Sequence, residues 1–105
     1  MEVIVRLPVT VVKQGLTPGA AAWVPLPGLI VFARPEYITI RLLAHELQHV
    51  RQWAYEGWTF PLKYAWAWAR AGFSYRDNPY EIEARRAEAD TDMLLWASDV
   101  QAGVS

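Results

Sequence analysis

The chain has 105 residues, a net charge of −1 and a hydrophobic fraction of 53%, which together indicate one domain, 1–105, with a modest core. The near-neutral charge gives no basic surface of the kind that binds nucleic acid. Because cysteine is absent, disulfides and thiolate zinc sites are excluded. Histidine and carboxylate side chains are the strong metal ligands that remain.

Neither the N-terminus nor the longest apolar stretch resembles a membrane or export signal. The start, MEVIVRLPVTVVK, alternates like a strand and carries Glu2 without a basic segment. The apolar stretch 20–33 is interrupted by proline and glycine and is too short to span a bilayer. We therefore expect a protein without a transmembrane segment, made and kept in the cytoplasm.

Strand patterns precede helix patterns along the chain. Segment 3–12 predicts one or two short strands, 14–28 predicts a loop, and 29–32 predicts a strand. Helices are predicted over 39–55, 61–71 and 78–97. The fold class is therefore α+β, with a small N-terminal sheet followed by a first, a middle and a C-terminal helix.

Aromatic residues of and after the middle helix, Tyr64, Trp66, Trp68 and Phe73, allow two interpretations. They form a membrane-interface or substrate-binding surface, or they pack in the core. Core packing is the commoner role of such residues and is our prediction.

The first helix carries HELQH, residues 45–49, with the only two histidines of the chain. Four residues apart on a helix, His45 and His49 point the same way and can bind one metal ion together. Glu46 lies off that axis, where it can act on a metal-bound water. The alternative is two surface histidines, but the helix is apolar around the motif and burial there requires partners.

A catalytic zinc ion needs a third protein ligand and an open position. The pattern HExxHxxGxxH is excluded, because Gln52 stands at the glycine position and Tyr55 at the third histidine. A carboxylate from a later helix remains possible. The stretch DNPYEIEARRAEAD, residues 77–90, supplies the candidates.

HELQHVRQW followed by NPYEIEA resembles the zincin metallopeptidases of the gluzincin type, in a small phage or bacterial form. The pattern is similar to the CAAX prenyl protease family, whose later helix carries a Glu-x-Glu-Ala-Asp motif. The resemblance implies that Glu81 is the third zinc ligand and that Glu83 and Ala84 fill the next places. Arg85 stands where the family has its aspartate, so the hydrogen bond that this aspartate makes to a ligand is in question.

The residues of the third helix do not by themselves select the ligand. Asn78 at the N-cap with Glu81 three residues later predicts a capping box, which gives Glu81 a structural role. A helical wheel places Glu83 in the more buried position. Glu83 is therefore the alternative third ligand. Tyr75, Arg76 and Tyr80 are candidate oxyanion donors, and nothing in the sequence selects one.

The resemblance implies a zinc-dependent metallopeptidase in which Zn²⁺ lies on His45, His49 and Glu81, with Glu46 as the general base. We expect the strand 29–32 to line the cleft and to pair with an extended, short or flexible peptide. One alternative is a zinc-stabilised binding module without catalysis. Another is a structural or membrane-associated helper in which the histidines are incidental.

Overall fold

A three-stranded sheet precedes four α-helices in residues 4–104, the part of the chain that the computed structural model describes. This order confirms the predicted α+β class. The elements are β1 (Thr10–Val12), β2 (Ala22–Leu26), β3 (Leu29–Phe32), α1 (Ile40–Glu56), α2 (Phe60–Arg70), α3 (Pro79–Ala87) and α4 (Thr91–Val104), with 3₁₀ turns at Pro35–Tyr37 and Gly57–Thr59.

The sheet has the order β1-β3-β2, with β1 parallel and β2 antiparallel to β3. The predicted strand 29–32 is confirmed as β3. Its predicted pairing with a peptide is wrong, because both of its edges are already occupied. The free edge next to α1 belongs to β2, which lies inside the predicted loop 14–28. Gly28, at a φ of 74°, permits the tight turn that joins β2 to β3.

Of the predicted strand segment 3–12, only Thr10–Val12 forms a strand within the described residues, and Val3 lies outside them. Proline at position 8 removes a backbone donor, which is consistent with pairing that starts after it. The N-terminal strand is therefore shorter than predicted.

Helix α1 lies at the centre of the fold and packs against α3, α4 and β2. It begins where the Thr39 hydroxyl accepts from the amide of Leu42 at 3.1 Å, and it ends at Gly57, which has a φ of 64°. Both ends agree with the prediction. Its apolar side belongs to the core cluster with β3 and α4, through Leu43, Leu47, Val50, Ile30, Phe32, Met93 and Trp96.

The predicted C-terminal helix 78–97 is two helices, α3 and α4, separated by residues 88–90. The Asp90 carboxylate accepts from the amide of Met93 at 3.1 Å, so Asp90 acts as the cap of a new helix. After the break, α4 packs against α1, and Met93, Trp96 and Ala97 complete the core.

The predicted core role of the aromatic residues is wrong for Trp66, Trp68 and Phe73, which are exposed. The aromatic core comes from Phe32, Trp53, Phe60 and Trp96. No helix within residues 4–104 has both the length and the hydropathy that crossing a bilayer requires.

Candidate metal centre

The two histidines of α1 are buried beside a glutamate in the middle of the helix. One ligand atom from each of His45, Glu46 and His49 lies within 4.8 Å of the others. All three side chains are excluded from bulk solvent. The spacing of four residues has therefore brought the two rings to one side of α1, as the motif predicts.

Glu81 of α3 meets both histidines. Its Oε1 lies 2.9 Å from Nε2 of His45 and 3.2 Å from Nε2 of His49, and the residue is only 2% exposed. Ligands about 2.0–2.1 Å from a tetrahedral zinc ion lie roughly 3.3 Å from each other. The two separations from Glu81 Oε1 are therefore close to those between neighbouring ligand atoms of a zinc tetrahedron.

The burial predicted for Glu83 is wrong, because Glu83 is exposed while Glu81 is buried. The inward side of α3 is formed by Glu81, Ala84 and Ala87. The predicted capping box is also not formed. Asn78 Oδ1 accepts from the amide of Tyr80 at 3.0 Å, and the Glu81 carboxylate faces the histidines instead of the N-cap amide.

The other ring nitrogen of each histidine faces an oxygen. Nδ1 of His45 lies 2.9 Å from Oε2 of Glu88, and Nδ1 of His49 lies 2.7 Å from Oε1 of Gln52. A carboxylate or amide oxygen can only accept, so each Nδ1 carries the hydrogen and donates. Both rings are thereby held with Nε2 toward Glu81, so loss of the Nε2 proton would leave the tautomer that a metal at Nε2 requires.

Gln52 has a fixed orientation because its amide nitrogen already has two acceptors. Its Nε2 donates to the carbonyl of Tyr80 at 3.0 Å and to Oε1 of Glu83 at 3.2 Å. Its Oε1 must then face His49. Glu83, which also accepts from Gln48, therefore acts on the histidine through Gln52.

The carboxylates around the histidines favour the protonated form of both rings. Burial lowers the pKa of His45, but hydrogen bonds to Glu81 and Glu88 outweigh it and raise the pKa to about 9. At His49, burial also lowers the pKa, but the hydrogen bond and the charge of Glu81 outweigh burial, so the pKa is raised. Burial alone would raise the pKa of the Glu81 carboxyl. The hydrogen bonds from both histidines outweigh burial and hold that pKa well below its usual range.

A divalent cation is the natural replacement for these protons. Two protonated histidine rings together carry a charge of +2, and two neutral rings carry none. One Zn²⁺ ion also carries a charge of +2. Replacing both Nε2 protons by one divalent ion would leave the net charge of the buried site unchanged. Two imidazole nitrogens and a carboxylate oxygen are also a donor set that suits zinc. The residues present therefore fit the ion that the motif predicts.

A cleft of about 420 Å³ opens at the centre, with Glu46, His49 and Glu81 among its lining. Burial raises the pKa of Glu46 and outweighs the two histidines, which act to lower it. Within residues 4–104 the Glu46 carboxylate has no hydrogen-bond partner. It is therefore free to exchange a proton with a molecule in the cleft.

Among the candidate oxyanion donors, only Tyr75 lines the cleft. Tyr75 is 56% exposed, and partial burial of its phenol together with the neighbouring Glu81 carboxylate raises its pKa, so the phenol stays a donor. Tyr80 lines a separate pocket with Gln48 and Glu83 and stacks on Tyr64 at 6.0 Å. Arg76 is not among the described residues that line the cleft.

Three residues of the site were missed in the sequence. Tyr64 lines the cleft and donates to Oε2 of Glu81 at 2.6 Å, while Gln52 and Glu88 orient the histidines. Gln52 lies three residues after His49 and Glu88 lies seven after Glu81, so helical spacing is a signal that could have found both. Tyr64 is on another helix, and only the fold brings it to Glu81.

Comparison of the chain with protein-family models, with curated proteins and with solved structures gives no match.

We predict that Glu81→Gln weakens zinc affinity more than about a hundred-fold, because it removes the carboxylate that faces both Nε2 atoms. Glu83→Gln serves as the matched control. It should weaken affinity about ten-fold or less, since it acts only through Gln52. Competition with a chromogenic chelator measures both. A silent Glu81→Gln beside a strongly impaired Glu83→Gln would contradict this assignment.

A second prediction concerns the metal-free protein. The folded pKa of His45 is about 9, above its ordinary 6.5, so its contribution to stability is complete below pH 6.5 and is lost as the pH rises through about 9. The melting temperature in chelator should therefore fall across this range. Saturating zinc should remove the fall, because the metal replaces the protons. Glu88→Gln should move the fall to lower pH. A melting temperature in chelator that stays level or rises would refute the assignment.

Proposed function

We propose that the chain is a zinc-dependent metallopeptidase, with His45, His49 and Glu81 as the ligands of the metal. One observation carries the proposal: Oε1 of Glu81 lies 2.9 and 3.2 Å from the two Nε2 atoms. The Nδ1 atoms, held by Glu88 and Gln52, support it because they orient both rings for a metal.

The resemblance of HELQH and NPYEIEA to gluzincins supports the same ligand set. In this chain Arg85 stands where the family has an aspartate, so another group is needed to make the hydrogen bond of that aspartate. Glu88, two turns after Glu81 and beside His45 Nδ1, supplies a carboxylate of that kind from another position. The departure at Arg85 therefore does not argue against the proposal.

The chemistry divides between the ion and the side chains of the cleft. A bound Zn²⁺ would lower the pKa of a water to about 7 and polarise a carbonyl group. Glu46, buried and without a hydrogen-bond partner among the described residues, takes the proton from the attacking water and passes it to the leaving amine. Tyr75 stays protonated and donates to the oxygen of the scissile carbonyl. Tyr64 holds the outer oxygen of Glu81 in place.

Recognition of a substrate backbone by the edge of β2 is restricted. The carbonyl of Val24 already accepts from the indole of Trp53 at 2.8 Å, and Pro25 has no amide hydrogen. The side of the cleft formed by β2, Trp53 and Phe60 is apolar. We therefore propose that an apolar side chain of the peptide, rather than extended strand pairing, provides most of the binding.

The proposed substrate is an internal bond of a peptide or flexible segment. Among the described residues, the lining of the cleft contains no lysine or arginine. A carboxylate at the end of a substrate would have no lysine or arginine to bind there, and it would lie close to Glu46 and Glu81. The cleft thus favours a peptide bond that is remote from a free C-terminus.

The second candidate is a zinc-stabilised binding module that performs no hydrolysis. Its support is the position of the metal ligands on two helices, since an ion on His45, His49 and Glu81 would join α1 to α3. This role needs no proton acceptor in the cleft. Glu46 therefore distinguishes the two candidates.

We predict that Glu46→Gln keeps zinc and loses at least about a hundred-fold in turnover. Hydrolysis of an unstructured protein substrate, followed by mass spectrometry, measures the activity, and metal analysis measures the zinc. Glu56→Gln, a change at a second glutamate of α1 outside the cleft, is the control and should retain activity. A fully zinc-loaded wild type without turnover would favour the binding module, and an active Glu46→Gln would refute the proposed base.

A further inference from the structure

One wall of the cleft is formed by the connection between β1 and β2. Pro18 and Ala20 of this connection line the cleft together with Glu46 and His49. Most of the other lining residues belong to β2, α1 and α2, and each of these elements contributes buried residues to the fold. Within residues 4–104, by contrast, no member of 16–20 is buried or packs against the core cluster. Packing therefore holds this wall less firmly than the others.

The connection is closed at its base by the end of β3. The amide of Gly15 donates to the carbonyl of Phe32 at 2.9 Å, and the carbonyl of Ala21 accepts from the amide of Ala33 at 2.9 Å. Because Phe32 and Ala33 are neighbours, the two ends of the loop lie close together, as in an Ω-loop. A Cβ atom at Gly15 would come within 2.8 Å of the Val31 side chain, so glycine allows this close approach to the sheet.

Residues 16–20, between these two ends, form a small unit that we call the tip. The Thr17 hydroxyl donates to the carbonyl of Ala20 at 2.6 Å, and the amide of Gly19 donates to the carbonyl of Thr17 at 2.8 Å. The ring of Pro18 fixes its φ, and Gly19 permits the turn with a φ of 73°. Pro18 and Ala20 are therefore held in one rigid turn.

A single side chain ties the tip to the rest of the fold. The Trp23 indole donates to the carbonyl of Leu16 at 2.9 Å, and among residues 4–104 this is the one hydrogen bond between the tip and another segment. The Leu16 side chain is 92% exposed and adds no packing. Trp23 is 36% exposed and also lines the cleft. A molecule that enters the cleft therefore meets both the tip and the residue that holds it.

The groups proposed to act on a substrate lie deep in a small cleft. Glu46, His49 and Glu81 are all buried, and the cleft has a volume of about 420 Å³. This volume is near the lower end of the range of about 300–1,000 Å³ that small-molecule sites have. A peptide cut at an internal bond has further residues on both sides of that bond. Space for them requires a wall that yields, and packing holds the tip least.

We propose that the tip is a movable flap, latched by the Trp23 indole, which opens to admit the substrate and closes over it. In the closed position Pro18 and Ala20 contact the bound molecule and keep water away from Glu46. That the entering molecule is a peptide rests on the proposed function. The latch between Trp23 and Leu16 does not depend on it.

Trp23→Phe tests the latch, because it removes the indole N–H and keeps an aromatic ring. NMR relaxation of the backbone amides should show a more mobile tip in this variant, with β1 and β2 unchanged. Trp68→Phe is the matched control, since Trp68 is 40% exposed and lies outside the cleft, and it should leave the tip as rigid as in the wild type. In the wild type, the indole hydrogen of Trp23 should exchange with water about five-fold more slowly than that of Trp66, which is 66% exposed.

Kinetics of the zinc-loaded variants test what the flap does. Trp23→Phe should raise KM for an unstructured protein substrate about five-fold, because the closed position loses one hydrogen bond, and should change kcat less than about two-fold. Thr17→Val should also raise KM, because it removes a bond within the tip. Thr17 does not line the cleft, so this variant separates the flap from direct contact with the substrate.

The outcomes distinguish the flap from the proposed peptidase. A tip that is equally rigid in Trp23→Phe and the wild type, or equally mobile in Trp23→Phe and Trp68→Phe, would overturn the latch. A mobile tip with unchanged KM in both Trp23→Phe and Thr17→Val would overturn the role of the flap in substrate binding. A mobile tip in Trp23→Phe, beside a zinc-loaded wild type without hydrolysis, would support the latch and contradict the peptidase instead.

Discussion

The contact of one Glu81 oxygen with two histidines links the main helices of this protein. It joins α1 to α3 in a region where charged groups are removed from water, at 2.9 and 3.2 Å. Removing one member of such a buried group leaves an uncompensated charge and costs about 3–5 kcal/mol. The surrounding hydrogen bonds follow from this contact, because Glu88, Gln52 and Tyr64 each hold one of its members in place.

The parts of the fold that local chemistry determines were predictable. Thr39 and Gly57 fix the ends of α1, and the spacing of His45 and His49 fixes their common direction. Strand 29–32 was predictable from its short apolar run with β-branched and aromatic residues, which suits a central strand. In each case a residue and its near neighbours in sequence contain the deciding interaction.

The remaining features depend on contacts between distant segments. Strand β2 was missed because it contains Pro25 and lies in segment 14–28, whose proline and glycine content indicates a loop. An edge strand tolerates proline where a central strand does not. The break at Asp90 was missed because residues 78–97 keep a helical pattern, while packing of α4 on α1 favours two helices. Glu81 was ambiguous for a related reason. A helical wheel describes one helix, and the burial of Glu81 is decided by the histidines of another.

The central claim is that two histidines of α1 and a carboxylate of α3 bind one metal ion. X-ray absorption at the zinc edge, with metal analysis of the reconstituted protein, tests it most directly. We expect about one zinc per chain, with two imidazole nitrogens near 2.0–2.1 Å and only oxygen in the remaining positions. Less than about half an equivalent of zinc after reconstitution, or a spectrum without imidazole scattering, would contradict it.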